Sequence, residues 1–364
     1  MFNKFNLFDF IIFTILFCTA SFNVNISKNM NSFSNKKNLI IGLAFRYPWN
    51  KIRNFFISFK KAEFKNCDIA IFVRELSKKT LKKIKSCGAI IYKVPKVTKI
   101  PAFIYRWELY KDFLIKNKDN YNIVFTADIR DTIFQKDIFK FYNYNTSFFG
   151  LFLEDVILNT KINKNWLLFL MDKKEFQNKL ANKRVICAGT IIGTIDKFIE
   201  FSNVLWDTVK DNKNLNKIID QGVLNFLIYY KNLFNDSIII KDNNGPLMTI
   251  GATPIDKIFL DNDNNILNFN KQIAAVVHQY DRKKDITEKM NIKYADSKFN
   301  FSSYIQINTS EINKFNYLIH QKWSKREDNN NLFIIIIIIL FLLIMKKSLL
   351  VKENEMFKKN KRSG

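Results

Sequence analysis

Between residues 38 and 126 the chain alternates short, β-rich apolar runs with segments whose apolar residues recur at helical spacing, and this alternation restricts the fold more than any other feature. Residues 38–45 form the first apolar run. In residues 49–62, Ile52, Phe55, Phe56 and Phe59 then share one helical face. Residues 67–73 predict a second strand, 76–86 a basic helix and 89–94 a third strand. A further helix over 102–116 leads into the apolar strand 121–126. Strands that repeat in one direction need crossover helices, so the order predicts an α/β fold with a parallel sheet flanked by helices.

The last of these strands ends abruptly in acid, as Phe125-Thr126-Ala127-Asp128-Ile129-Arg130-Asp131, followed by Thr132-Ile133-Phe134-Gln135. Ligands of open α/β sheets gather beyond the carboxyl ends of strands, where carboxylates meet a substrate without being buried in the sheet. Two carboxylates there repel a diphosphate unless a divalent cation such as Mn²⁺ or Mg²⁺ bridges them. The competing reading makes Asp128 a turn cap and Asp131 the partner of a lysine.

Other residues join this list on their own chemistry. His278, one of two histidines, follows the apolar run 273–277 and on its own reads as a half-buried histidine satisfied by a backbone carbonyl. In Cys187-Ala188-Gly189-Thr190-Ile191-Ile192-Gly193, Gly189 lets backbone approach a ligand closely or simply bends a strand. Asp220 and Gln221 open a helix-like segment running to residue 230. They bond ligand hydroxyls, Asp220 serves as general base, or Asp220 is an N-cap. Arg106 and Trp107 read blandly as a solvated and a core residue, and Glu154 and Asp155 either touch a bound substrate or lie in a solvated loop.

The order and spacing of Ile41-Gly42-Leu43-Ala44, the Asp128 to Gln135 stretch, Cys187-Ala188-Gly189-Thr190, Asp220-Gln221-Gly222-Val223-Leu224-Asn225 and Val277-His278-Gln279-Tyr280-Asp281-Arg282 resemble those of GT-A glycosyltransferases. The similarity is greatest to a group of nucleotide-diphospho-sugar transferase-like proteins of plants, algae and protists, and covers about residues 38–285. It implies a GT-A-like, Rossmann-related domain that transfers a sugar from a nucleotide donor to a glycan, protein or lipid acceptor. It further implies a DxD-type metal motif at Asp128. Arg130 occupies the position of the usual second acid, so Asp131 provides it, directly or through water, while Arg130 meets phosphate or solvent. By the same resemblance His278 is a third metal ligand, Ala44, Arg106, Gly189 and Arg282 contact the donor, and Asp220 and Gln221 carry the catalytic role. A fold that has lost activity and only binds glycans is the alternative, against which the retained acids and His278 speak.

The formal charge of +25 raises nucleic acid as a partner, yet lysines are scattered and rise together with Asn, Ile and Phe, with no basic stripe. The four cysteines form no CxxC pair; Cys67 and Cys87 form a disulfide or are each small buried residues. Residues 1–22 have the grammar of a cleaved signal peptide or a signal anchor, and 23–37 of a linker. After the 38–285 domain and an extension over 286–330, residues 331–351 are a candidate transmembrane helix. The unbroken apolar run 332–345 covers only about 21 Å of a hydrocarbon core roughly 30 Å thick, so Lys346 and Lys347 must snorkel, or the run never inserts. The basic tail 352–364 is then cytosolic and the domain lumenal, in a Golgi or endoplasmic reticulum membrane.

Overall fold

Crossover helices impose their direction on the first half of the chain. The computed structural model describes residues 36–95, 100–142 and 146–298. The chain divides into two compact units, and apart from residues 92–95 everything described falls in the first. β1 (Lys37–Phe45) is followed by α1 (Trp49–Lys61), which buries Ile52, Phe55, Phe56 and Phe59 as their spacing predicts. β2 (Cys67–Arg74) runs parallel to β1, pairing Asn38 with Cys67 and Phe45 with Arg74. α2 (Lys78–Ser86) starts later than residue 76 because Ser77 Oγ accepts from the Thr80 amide and fixes the cap. β3 (Ile90–Lys93), α3 (Ala102–Lys116) and β4 (Tyr121–Ala127) follow, and β4 lies parallel to β1 on its other side.

From β4 onward the sheet becomes mixed. β5 (Thr132–Phe134) leaves it, and β6 (Phe149–Ile157), α4 (Lys161–Leu167), α5 (Lys173–Lys179) and β7 (Arg184–Thr194) return to it. β7 is antiparallel to both β4 and β6. After α6 (Ile195–Val209) and α7 (Asp220–Asn225), β8 (Ile238–Lys241) pairs parallel with β6. The result is an α/β fold whose seven-stranded, mostly parallel mixed sheet has the order β3-β2-β1-β4-β7-β6-β8. Glu154 and Asp155 therefore lie inside β6, not in a solvated loop: Glu154 is buried, and Asp155 pairs with Arg184 and accepts from Asn243.

A second, three-stranded sheet is built from β5, β9 (Leu247–Thr249) and β12 (Val276–His278), with β12 in the middle. β10 (Phe259–Leu260) and β11 (Ile266–Leu267) form a small ribbon. Phe134 joins the layers: its ring lies 5.0 Å from Phe55, 5.4 Å from Phe64, 6.0 Å from Phe59 and 6.2 Å from Phe125. On the other face of the small sheet, Ile133, Met248 and Val277 pack with Ile57 and Tyr280.

The predicted boundary at residue 285 falls inside α8 (Lys284–Lys293). Ile286 and Met290, one turn apart in a charged helix, belong to the core beneath the small sheet, so the folded region continues past it. Cys67, Cys87 and Cys187 are free thiols. Among the described residues no helix is long and apolar enough to cross a membrane. The segments expected to act as signal, transmembrane helix and basic tail lie outside the described residues, as do 23–35 and 299–330.

Because Phe134 carries the contact between the two sheets, Phe134→Ala is expected to lower the unfolding free energy by about 3–5 kcal/mol. Urea denaturation followed by circular dichroism measures this loss; a change under about 1 kcal/mol would mean the aromatic cluster does not hold the layers together.

Candidate metal centre

The acidic turn is anchored by backbone pairing at both ends. The Asp128 amide donates to the Gly189 carbonyl at 2.8 Å, extending the β4–β7 ladder one residue beyond β4. Ile129 then turns inward and is buried against β1. Gly42 permits this approach, since a Cβ there would stand 2.8 Å from Ile129 Cγ1. At the other end the Asp131 carbonyl accepts from the Gln279 amide at 2.8 Å, and the next residue, Thr132, pairs with His278. Asp128 is thus placed by the large sheet, and Asp131 and His278 by the small one.

His278 Nε2 lies 3.5 Å from Asp131 Oδ1 and 3.9 Å from Asp128 Oδ2. Ligand atoms of all three side chains fall within 4.8 Å of one another, a group that could hold a metal ion. An ion about 2.1 Å from each ligand sets neighbouring ligand atoms about 3–4 Å apart, which matches these separations. His278 Nε2 is fully buried and makes no hydrogen bond, its neighbouring carboxylate oxygen Asp131 Oδ1 standing 3.5 Å away. His278 and Asp131 are enclosed, at 1% and 4% side-chain exposure, whereas Asp128 is 41% exposed, so the cluster opens on one side. Two carboxylates and one imidazole suit Mn²⁺, and Mg²⁺ less fully because Mg²⁺ favours oxygen alone.

Guanidiniums decide which carboxylate oxygen faces the cluster. Arg106 Nη1 donates to Asp128 Oδ1 at 2.6 Å, leaving Oδ2 toward His278. Arg106 Nη2 donates to Asp220 Oδ2 at 2.5 Å and to the Ala188 carbonyl at 2.9 Å. Asp131 is treated alike: Arg130 Nη2 at 3.1 Å and Arg282 Nη2 at 3.4 Å hold Oδ2, leaving Oδ1 toward His278. Burial opposes charge on Arg106, yet Asp220 and Asp128 outweigh it and raise its pKa. Burial likewise works against the Asp131 carboxylate, but His278 and Arg130 prevail and hold its pKa low. For His278 burial disfavours the cation, and Asp131, then Asp128 and Glu154, reverse that and raise its pKa.

The remaining residues singled out in the sequence divide clearly. Gly189 faces the cluster, because a Cβ there would come within 2.5 Å of His278 Nε2 and 2.8 Å of Asp128 Oδ2. Arg282 stands at the open side, partly exposed and paired with Asp281. Ala44 is fully buried in the main core and offers its side chain to no ligand. Arg106 is also buried, with Nη1 and Nη2 engaged by Asp128 and Asp220, so it supports the site from beneath instead of reaching a nucleotide. Asp220 follows the cap residue Ile219 instead of capping the helix. Its carboxylate is buried, accepts from Arg106 and from Trp107 Nε1 at 3.1 Å, and has its pKa raised by burial. Gln221 accepts from the Ala188 amide at 3.3 Å and donates to Asn163 at 3.2 Å, so both ends of its amide serve the fold.

Two contributors escaped the sequence reading. Cys187 Sγ lies 3.4 Å from His278 Nδ1, behind the cluster. Tyr47 lies close enough to Arg130, Asp128 and Asp131 for their charges to act on its phenol, whose pKa burial raises. Tyr47 also lines a cleft of about 520 Å³ with Arg46, Trp49, Glu75, Ser77 and Lys83, beyond the carboxyl ends of β1 and β2. Its place immediately after the first predicted strand was the available signal. Arg46 and Glu75, both at positive φ (58° and 55°), are tied by hydrogen bonds of 2.6 and 3.1 Å across the cleft's rim.

No family model matches the chain, and no curated protein matches it.

The contact at Gly189 gives a direct test. Gly189→Ala should leave β7 folded but crowd Asp128 and His278, lowering Mn²⁺ affinity at least about tenfold. In the parent chain, Mn²⁺ at 100 times its Kd should add about 2.7 kcal/mol of stability, and that gain should fall to about 1.4 kcal/mol or less in the variant at the same concentration. Calorimetric titration and thermal denaturation measure both; an unchanged affinity would locate the ion elsewhere.

Proposed function

We propose that this chain is a divalent-cation-dependent glycosyltransferase that moves a sugar from a nucleoside diphosphate donor to an acceptor. The observation that carries this reading is the convergence of Asp128 Oδ2, Asp131 Oδ1 and the unpartnered His278 Nε2 beyond the ends of parallel strands, next to a cleft lined by Tyr47 and Trp49. A metal centre on these three residues suits a reaction whose leaving group is an anionic diphosphate. When bound by Asp128, Asp131 and His278, a cation supplies neutralising charge for that leaving group.

The chain's own residues supply the rest. Arg130 and Arg282, partly exposed at the open side, offer charge-assisted hydrogen bonds to phosphate while keeping Asp131 oriented. Tyr47 and Trp49 give the adjacent cleft aromatic faces for a nucleoside. Gly189 leaves the space over Asp128 and His278 free for the reacting groups. Asp220 holds Arg106, and Arg106 holds Asp128, so we assign Asp220 to positioning and not to proton abstraction. The apolar runs near both termini support a secretory-pathway membrane setting, Golgi or endoplasmic reticulum, with the domain lumenal.

The test is turnover of a panel of nucleotide sugars in the presence of Mn²⁺. Asp128→Asn keeps the size of the side chain and an oxygen for Arg106, so the fold should survive. Turnover should fall at least about 100-fold, about 2.7 kcal/mol of transition-state stabilisation, at ~1.4 kcal/mol per tenfold. A folded Asp128→Asn variant with parental turnover would remove the cluster from the chemistry.

A further inference from the structure

A histidine that ligates a metal through one ring nitrogen is oriented by what its other nitrogen bonds, and the usual partner is a carboxylate, carbonyl or water. Here the neighbour of His278 Nδ1 is a thiol, Cys187 Sγ at 3.4 Å, and both side chains are almost wholly buried. Burial and the nearby Glu154 carboxylate, itself buried on β6, raise the pKa of this thiol and keep it neutral. Gln279 Nε2 joins the two residues, 3.3 Å from Glu154 Oε1 and 3.9 Å from Cys187 Sγ. Cys187 thus stands between the Glu154–Gln279 pair and His278, whose unpartnered Nε2 faces Asp128 and Asp131.

We propose that Cys187 is a positioning residue that sets the tautomer of His278, accepting a hydrogen bond from Nδ1–H when Nε2 ligates a cation and turning its own S–H to Glu154. The inference rests on the metal-centre reading of the cluster and not on any donor or acceptor. A neutral thiol both donates and accepts, which a carboxylate cannot do. With no cation, S–H donates to Nδ1 and the single ring proton sits on Nε2, facing Asp131 Oδ1. With a cation, the ring proton sits on Nδ1 and the Nε2 lone pair is free. The ring carries one proton in both arrangements and the thiol keeps its own, so the exchange is a tautomer shift with a rotation of S–H. A carboxylate in place of Cys187 would add a further negative charge behind an acidic cluster and favour only the second arrangement.

The experiment compares the full chain with Cys187→Ser, Cys187→Ala and Cys187→Val. Serine donates and accepts as the thiol does, whereas alanine and valine do neither, and valine also fills the space should alanine fail to fold. Mn²⁺ affinity is read from the free-ion spin-resonance signal. The ring ¹⁵N shifts of His278 are read with and without Mg²⁺, His320 being removed as His320→Gln to leave one histidine. The expected result is affinity within about threefold of the parent for Cys187→Ser, and a loss of about 10–100-fold for Cys187→Ala or Cys187→Val. Addition of Mg²⁺ should move the parent and Cys187→Ser toward the Nδ1–H tautomer, and the apolar variants less. Parental affinity in an apolar variant, or a serine variant as weak as the apolar ones, overturns the proposal while leaving the metal centre standing. A parent chain that binds no Mn²⁺ overturns both.

Discussion

A buried guanidinium between two carboxylates holds the site in place. Arg106 is enclosed on α3, and its charge is offset only because Asp128 and Asp220 approach it within 2.6 and 2.5 Å. Losing one partner of a buried ion pair leaves an uncompensated charge, so each member of the triad keeps the others where they are. The outcome is directional. Arg106 occupies one oxygen of Asp128, and Arg130 with Arg282 occupies one oxygen of Asp131, so each carboxylate turns its remaining oxygen toward His278. Acids that would otherwise repel one another are thereby held at ligand spacing by cations outside the cluster.

That arrangement depends on two sheets meeting at one turn. Asp128 ends the ladder between β4 and β7, while Asp131 immediately precedes the pairing of β5 with β12. Side chains alternate faces along a strand, so a one-residue slip between β5 and β12 would send His278 to the opposite face. The register is fixed by burial on both sides: Phe134 on β5 enters the aromatic core, and Ile133 and Val277 enter the cluster below. Core packing and ligand geometry are therefore set by the same three residues of β5.

Much of this was legible in the sequence where a periodic signal existed. The strands and helices through residue 127 follow the apolar pattern, and α3 has the bounds its spacing predicts. Asp128 and Asp131 stood out because acids directly after a largely apolar strand have no place in a core. Arg106 was expected to contact the donor or to be solvated, because nothing in the sequence shows that its buried partner Asp220 lies 114 residues away. Glu154 and Asp155 read as a loop for the same reason: adjacent acids are rarely placed inside a strand, and the tertiary partners Gln279, Arg184, Asn243 and Thr253 make it tolerable. The extent of α8 was hidden by its charge, since two buried residues one turn apart are a weak signal against the lysines around them.

The overall charge and the local charge pull in different directions. The chain as a whole carries +25, which attracts anions at long range, but such attraction is screened beyond about 8 Å at physiological ionic strength. Around the cluster, the carboxylates of Asp128 and Asp131 face His278 at 3.9 and 3.5 Å, and Arg106, Arg130 and Arg282 pair with those carboxylates. Arg106 is already spent on Asp128 and Asp220, so the field at the open side is less positive than the whole chain suggests. On the proposed function, a phosphate drawn in by the lysines would meet acids and two partly committed arginines, a surface that would favour it only once a cation had joined the acids. That reading expects the cation to bind before the anion, through the oxygens that Arg106, Arg130 and Arg282 leave free.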